Sequence, residues 1–272
     1  MKVNFVKMHS DGNDFVIVEN HEDKLSFKKD KIKQLANRHK GIGFDQFIMI
    51  QESSRADAFM RIFNSDGSEA EMCGNAARCV SALLFSIKNR NSVIIETLGT
   101  LLNAELQKNG RISLSIKIPD QSRKNFYLSG KVDINNVDFS HIQKDLINGF
   151  LVNMGNPHIV FVVPNIDKVD LEKYGKDIEI NNLFKNNINV EIVEILNKNE
   201  IKIKFWERGA GLTMSCGSGI LAAYYACYKK RICNDHVKVL LPGGIVDARI
   251  KENMLKVTGK AEACYLGEFE NE

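Results

Sequence analysis

Two cysteines in this 272-residue sequence are each followed directly by glycine and then by a run that reads as helix: Cys73 in "MCGNAARC" and Cys216 in "SCGSGILAA". A thiol at a helix N-terminus meets backbone N–H groups with no intrahelical acceptor and the positive end of the helix dipole. Its thiolate is therefore stabilised, its pKa is expected to fall, and it becomes a competent base. The same N–H groups bind carboxylates. Two such sites suit a reaction that needs similar groups on opposite faces of one carbon. Inversion of a stereocentre is such a reaction: one group removes the α-proton and the other delivers a proton to the opposite face. Taken singly, Cys73 reads equally well as a buried core cysteine. Zinc fits poorly, because the six cysteines include no CxxC pair and Cys73 and Cys79 point to different faces of a helix. No metal site is expected.

The elements that must position these thiols come in two copies. Cys73-Gly74 and Cys216-Gly217 are 143 residues apart, and the same shift carries Phe63 onto Trp206 and Gly12-Asn13 onto Gly155-Asn156. After one inserted residue the shift becomes 144, pairing Gly99 with Gly243 and Asn109 with Asn253. Residues 45–63 and 189–206 read as strand pairs, each followed by a glycine-rich loop, the Cys-Gly step and a helix. The predicted apolar stripes are Ala76, Val80, Leu83, Leu84 and Ile87 in the first helix, and Ile220, Ala223, Tyr224 and Cys227 in the second. Asn109-Gly110 marks a hairpin turn. The fold class is thus α+β, with two pseudosymmetric homologous halves, each a mostly antiparallel sheet or barrel around a central helix. The halves are taken as residues 1–118, with 263–272 a candidate to complete them, and 119–262. The polar stretch from Pro119 to Gly149 reads as the linker. Cys79, Cys227, Cys233 and Cys264 have no repeat counterpart and read as core.

Polar loops supply the rest of a site. "FNSDGS" (63–68) and "WERGAG" (206–211) align with each other and lead into the two Cys-Gly steps, which places Asn64, Glu207 and Arg208 at the rim of one cleft. An arginine can fork onto a carboxylate and a glutamate can accept from an ammonium, so the pair fits a substrate with an amino-acid group at its far end. A surface ion pair is the plainer alternative. Asn13 and Asn156 read as amide contacts or as turn residues after glycine. His158 reads as a tuner of the thiols or as a hydrogen-bonded core histidine.

A net charge of +3 with interspersed signs argues against nucleic acid as a partner. The polar N-terminus does not read as a signal peptide, and no apolar run is long enough to span a bilayer, so the chain reads as cytoplasmic and not bound to membrane. There a disulfide framework is not expected.

The strings "GNDFVIV", "GIGFDQ", "FNSDGSEAEMCGNAARC", "MGNPHIV", "NVE", "WERGAGLTMSCGSG" and "LPGG", in this order, resemble the diaminopimelate epimerase family over essentially the whole chain. The resemblance implies a cofactor-independent epimerase that interconverts LL- and meso-diaminopimelate, on the route to lysine and peptidoglycan. Carried over residue by residue, Cys73 is the proton acceptor and Cys216 the donor in one direction, with roles exchanged in reverse. Gly74, Asn75, Gly217 and Ser218 hold the reacting carboxylate through their amides. Asn13, Gln46, Asn64, Asn156, Asn189, Glu207 and Arg208 bind the rest of the small-molecule substrate, and His158 with Glu207 tunes the thiols. A homodimer is compatible with the resemblance, although no residues mark an interface.

Ser10 and Asp11 depart from the family's usual glycine and apolar residue, and Ser215 and Ile220 replace its usual alanines. Two other readings stand beside this one. The same chemistry suits a related amino acid such as lanthionine. A non-catalytic amino-acid-binding or thiol-redox module would use the helix starts only for carboxylate capture, or join Cys73 and Cys216 in a reversible disulfide. Pyridoxal phosphate is disfavoured, because neither repeated site carries a lysine.

Overall fold

The computed structural model describes residues 1–21 and 24–271. The chain divides into two compact units, Met1–Ile116 with Thr258–Glu272, and Lys117–Val257.

The first unit contains β1 (Lys2–Ser10), β2 (Asn13–Glu19), α1 (Lys29–Ala36), β3 (Gln46–Gln51), β4 (Ala58–Asn64), β5 (Glu69–Ala70), α2 (Gly74–Lys88), β6 (Ser92–Glu96), β7 (Leu101–Leu106) and β8 (Ile112–Lys117). The second contains β9 (Phe150–Asn153), β10 (Pro157–Val162), α3 (Leu171–Glu179), β11 (Asn189–Asn197), β12 (Glu200–Glu207), β13 (Gly211–Thr213), α4 (Gly217–Lys229), β14 (His236–Leu241), β15 (Gly244–Lys251) and β16 (Met254–Gly259). A final strand, β17 (Glu262–Glu270), returns to the first unit and pairs antiparallel with β1.

The pairing pattern repeats. In the first unit β1–β2 is antiparallel, β2–β3 parallel, β3–β4 antiparallel, β4–β6 parallel, and β6–β7 antiparallel. In the second β9–β10, β10–β11, β11–β12, β12–β14 and β14–β15 follow in the same sense. Each sheet curls around one helix: α2 packs on β1, β2, β6 and β7, and α4 on β9, β10, β11, β12 and β15. Residues Gly217–Cys227 of α4 are all buried, as expected of a helix that is apolar all round. Ile87 departs from the stripe expected for α2. It is exposed on the last turn, and Phe85 is buried instead.

Two other expectations are corrected. The stretch 119–149 is not a loose linker: Phe126, Val137, Phe139 and Leu146 join the core of the second unit with Phe161, Phe184 and Ile192. Its backbone is irregular, so these apolar residues carry no period from which packing could be read. Cys264 is exposed on β17, while Cys79, Cys227 and Cys233 are buried. Among the described residues no helix is long and apolar enough to cross a membrane.

Candidate functional site

The two thiols occupy the same local structure. Cys73 is the N-cap of α2, and its Sγ accepts from the Ala76 N–H at 3.4 Å; Cys216 is the N-cap of α4, and its Sγ accepts from the Gly219 N–H at 3.3 Å. Each sulfur stands where Ser, Thr or Asp usually caps a helix. The amides of Gly74 and Asn75, and of Gly217 and Ser218, lie ahead of that cap bond, where the helix itself provides no carbonyl for them to reach.

The sheet supplies the surrounding polar groups. Asn13 opens β2, Gln46 opens β3 and Asn64 closes β4, so the register brings them to one end of the first sheet. Gln46 Nε2 donates to Asn64 Oδ1 at 3.0 Å, and Asn64 Nδ2 donates to Ser68 Oγ at 3.0 Å. Asn13 Nδ2 donates to Asp45 at 2.8 Å, which turns its Oδ1 toward Asn75 Nδ2 at 3.2 Å and Cys73 Sγ at 3.9 Å. In the second unit Asn156 precedes β10, Asn189 opens β11 and Glu207 closes β12. Asn189 Nδ2 donates to Pro157 O at 2.9 Å, and its Oδ1 accepts from the Arg208 N–H at 2.9 Å. Arg208 Nη1 donates to Asn186 O at 3.1 Å. Asn156 Nδ2 donates to Ser218 Oγ at 3.2 Å, and that oxygen lies 3.5 Å from Cys216 Sγ.

His158 is wholly buried, with Nδ1 2.7 Å from Glu191 Oε1 and Nε2 2.8 Å from Asn156 Oδ1. Both ring nitrogens are thus engaged within the second unit. Glu191 lay in the string "NVE" but had no role from the sequence, because its position on a strand otherwise reads as core. A second buried polar cluster underlies α2. Arg78 is fully enclosed and donates to Ser10 Oγ at 2.9 Å, Asp11 Oδ2 at 2.9 Å and Asn75 Oδ1 at 2.5 Å. Ser10 and Asp11, the departures near Asn13, are therefore the groups that hold this arginine.

The expected fall in thiol pKa does not hold for Cys216. Burial pushes this thiol well above its usual range, the charge of Glu207 acts in the same direction, and Glu191 adds to it only when ionised. The Ser218 hydroxyl and the Gly219 N–H pull the other way without offsetting them. Loss of water around the sulfur outweighs the helix terminus here. A protonated Cys216 suits a proton donor. Among the described residues no cluster of His, Cys, Asp and Glu is arranged to hold a metal ion.

A sequence profile described as diaminopimelate epimerase matches residues 5–117 and 150–264. A protein of Zymomonas mobilis named diaminopimelate epimerase is 38% identical over 270 residues, covering 98% of this chain and 97% of its own. The chain belongs to the diaminopimelate epimerase family. Another member, from Acetivibrio thermocellus, is 36% identical over 282 residues, covering 98% of both chains. Among solved structures, a hydroxyproline epimerase from Agrobacterium vitis with bound trans-4-hydroxy-L-proline is similar, with a TM-score of 0.68 at 11% identity. It covers 98% of this chain and 92% of its own. A phenazine biosynthesis protein of the PhzF family from Enterococcus faecalis has a TM-score of 0.66 at 13% identity with full coverage of both. These structures share the two-halved fold, and the sequence relatives place the chain in the diaminopimelate epimerase family within it.

Proposed function

We propose that the chain interconverts LL- and meso-diaminopimelate by proton transfer through Cys73 and Cys216. The observation that carries this reading is the pair of N-cap thiols, each on a repeat-equivalent helix, in a chain that belongs to the diaminopimelate epimerase family. In one direction the Cys73 thiolate takes the α-proton and becomes a thiol. The electron pair stays on the α-carbon, delocalised into the carboxylate. Cys216 then gives its proton to the opposite face and becomes a thiolate. The reverse reaction exchanges the roles, so the atoms balance with no redox partner.

The carboxylate beside the reacting carbon is held by the amides of Gly74, Asn75, Gly217 and Ser218, whose helix-start positions favour an anion. Asn13, Gln46, Asn64, Asn156, Asn189, Glu207 and Arg208 hold the remainder of the substrate, and His158 and Glu207 tune the thiols. Such chemistry needs reduced cysteines and so suits a reducing, cytoplasmic compartment.

The test is exchange of the substrate α-hydrogen with D2O, with no cofactor added. The wild-type protein is expected to exchange and epimerise LL-diaminopimelate faster than lanthionine, whereas Cys73→Ala and Cys216→Ala abolish epimerisation. Full activity in either variant overturns the two-thiol reading, and a preference for lanthionine overturns the substrate.

A further inference from the structure

The buried pair of His158 and Glu191 has no counterpart in the first unit, where the 143-residue repeat holds Phe15 and Ile48 at the equivalent places. Two ionisable groups enclosed in a core are costly unless they are hydrogen bonded, so the second unit keeps them against an apolar alternative that its own sister half displays. They begin an unbroken chain. Glu191 Oε1 meets His158 Nδ1 at 2.7 Å, His158 Nε2 meets Asn156 Oδ1 at 2.8 Å, Asn156 Nδ2 donates to Ser218 Oγ at 3.2 Å, and Ser218 Oγ lies 3.5 Å from Cys216 Sγ.

The direction of each link fixes the next. Asn156 presents its carbonyl to His158, so Nε2 carries a hydrogen. Its amide nitrogen donates into the Ser218 oxygen, which turns the hydroxyl hydrogen toward sulfur. The opposite tautomer would present a lone pair to Asn156, turn the amide over and draw the serine hydrogen away from Cys216. What selects between the two is the group on Nδ1. Glu191 Oε2 is buried with no hydrogen-bond partner among the described residues. An ionised carboxyl would leave a charged oxygen stranded there, whereas a carboxylic acid donates from Oε1 and leaves only a carbonyl. Burial raises the Glu191 pKa, in the same sense. Gly219 makes the approach feasible, because a Cβ at that position would stand 2.7 Å from Oε1.

We propose that Glu191 is a positioning residue for Cys216: its protonated carboxyl donates to His158 Nδ1 and thereby aims the Ser218 hydroxyl at the thiol. This rests on the reading of Cys216 as a proton-transfer group. The charged and titratable groups that bear on that sulfur are Glu207 from β12, Glu191 from β11 and, through Asn156 and Ser218, His158 from β10.

The test is the alkylation rate of Cys216 by iodoacetamide in the full-length, substrate-free protein from pH 7 to 10, followed by mass spectrometry of its peptide with the Cys73 peptide as internal comparison. The rate follows the thiolate fraction. Ser218→Ala and Glu191→Met are each expected to slow Cys216 about threefold to tenfold at fixed pH, the size of one lost hydrogen bond. The double variant should be no slower than Ser218→Ala. Glu191→Gln, whose amide can still donate to Nδ1, stays with the wild type. A buried Glu191 anion predicts the reverse, with both Met and Gln accelerating alkylation, and that result overturns the proposal. Equal rates in Glu191→Met and wild type overturn it as well. If Glu191→Met fails to fold, Glu191→Gln decides: acceleration refutes the proposal, and a wild-type rate beside a slowed Ser218→Ala supports it. The titration needs no turnover, so a failure of the two-thiol reading would appear separately, as epimerisation by Cys216→Ala.

Discussion

Asn13 and Asn156 occupy equivalent places in the two halves but turn opposite ends of their amides toward the helix starts. Asn13 presents Oδ1 to Cys73 and Asn75 because Asp45 accepts from its Nδ2. Asn156 presents Nδ2 to Ser218 because His158 engages its Oδ1. A duplicated frame has thus been given opposite polarity by one neighbour in each half. That difference suits the proposed reaction, in which one thiol begins without its proton and the other begins with it.

Removing the Asp11 charge should unsettle the first half. Asp11 accepts from the fully buried Arg78, and its φ of 51° places it with Gly12, at 84°, in a tight turn between β1 and β2. Asp11→Asn tolerates that backbone but leaves the guanidinium without its countercharge. A cost of about 3 kcal/mol is expected from the loss of one member of a buried pair. Urea unfolding measures it; a midpoint equal to wild type would mean that Ser10 and Asn75 suffice to hold Arg78.

The thiols, their helix starts and the paired strands were legible because duplication repeats them at one spacing: a feature present twice stands out from chance. The groups that distinguish the halves were not. Arg78 falls on Leu221 and Glu191 on Ile48 at the 143-residue shift, so neither produces a matching pair. Each is buried among mainly apolar neighbours in its helix or strand, where a single charged residue gives no sign of its partner. The Ser10 and Asp11 departures were visible as changes, but their purpose was not, since Arg78 lies 67 positions from Asp11. Burial of Cys216 was equally hidden. The sequence exposes the helix dipole that lowers a thiol pKa but not the loss of water that raises it.

Asp14 should make the fold sensitive to acid. Burial acts to raise its pKa, but hydrogen bonds from Arg38 and Lys7 outweigh this and hold the carboxyl at about 2. A depressed folded-state pKa stabilises the fold above the unfolded value near 4, and that contribution fades as the pH falls toward 2. Its full size is about 2 kcal/mol. The stability difference between wild type and Asp14→Asn, from urea melts, should therefore be largest above pH 5 and shrink at each step below 4. A constant difference would place the contribution elsewhere.

Gly175→Ala in α3 should destabilise despite the better helix former. An added Cβ would stand 2.4 Å from the indole of Trp206, whose Nε1 donates to Glu179 at 2.8 Å and so resists displacement. Alanine in place of a helical glycine is worth about 1 kcal/mol, while overpacking costs about 1–3 kcal/mol, so a net loss is expected. Trp206 is the sole tryptophan, which makes its fluorescence a direct report. An unchanged emission spectrum with raised stability would show that the ring moves freely.

Glu207→Gln should free the Cys216 thiolate. After burial, the Glu207 charge is the foremost influence holding this thiol above its usual range. The amide keeps the shape of the side chain and removes the charge, so the thiolate becomes easier to form and iodoacetamide alkylation of Cys216 at fixed pH accelerates. The direction is opposite to that expected for Ser218→Ala, which separates loss of a repelling charge from loss of a supporting hydroxyl. On the role proposed for Glu207 at the far amino-acid group, substrate affinity in turnover should fall as well. Slower alkylation in Glu207→Gln would show that Glu207 assists ionisation of Cys216 and does not oppose it.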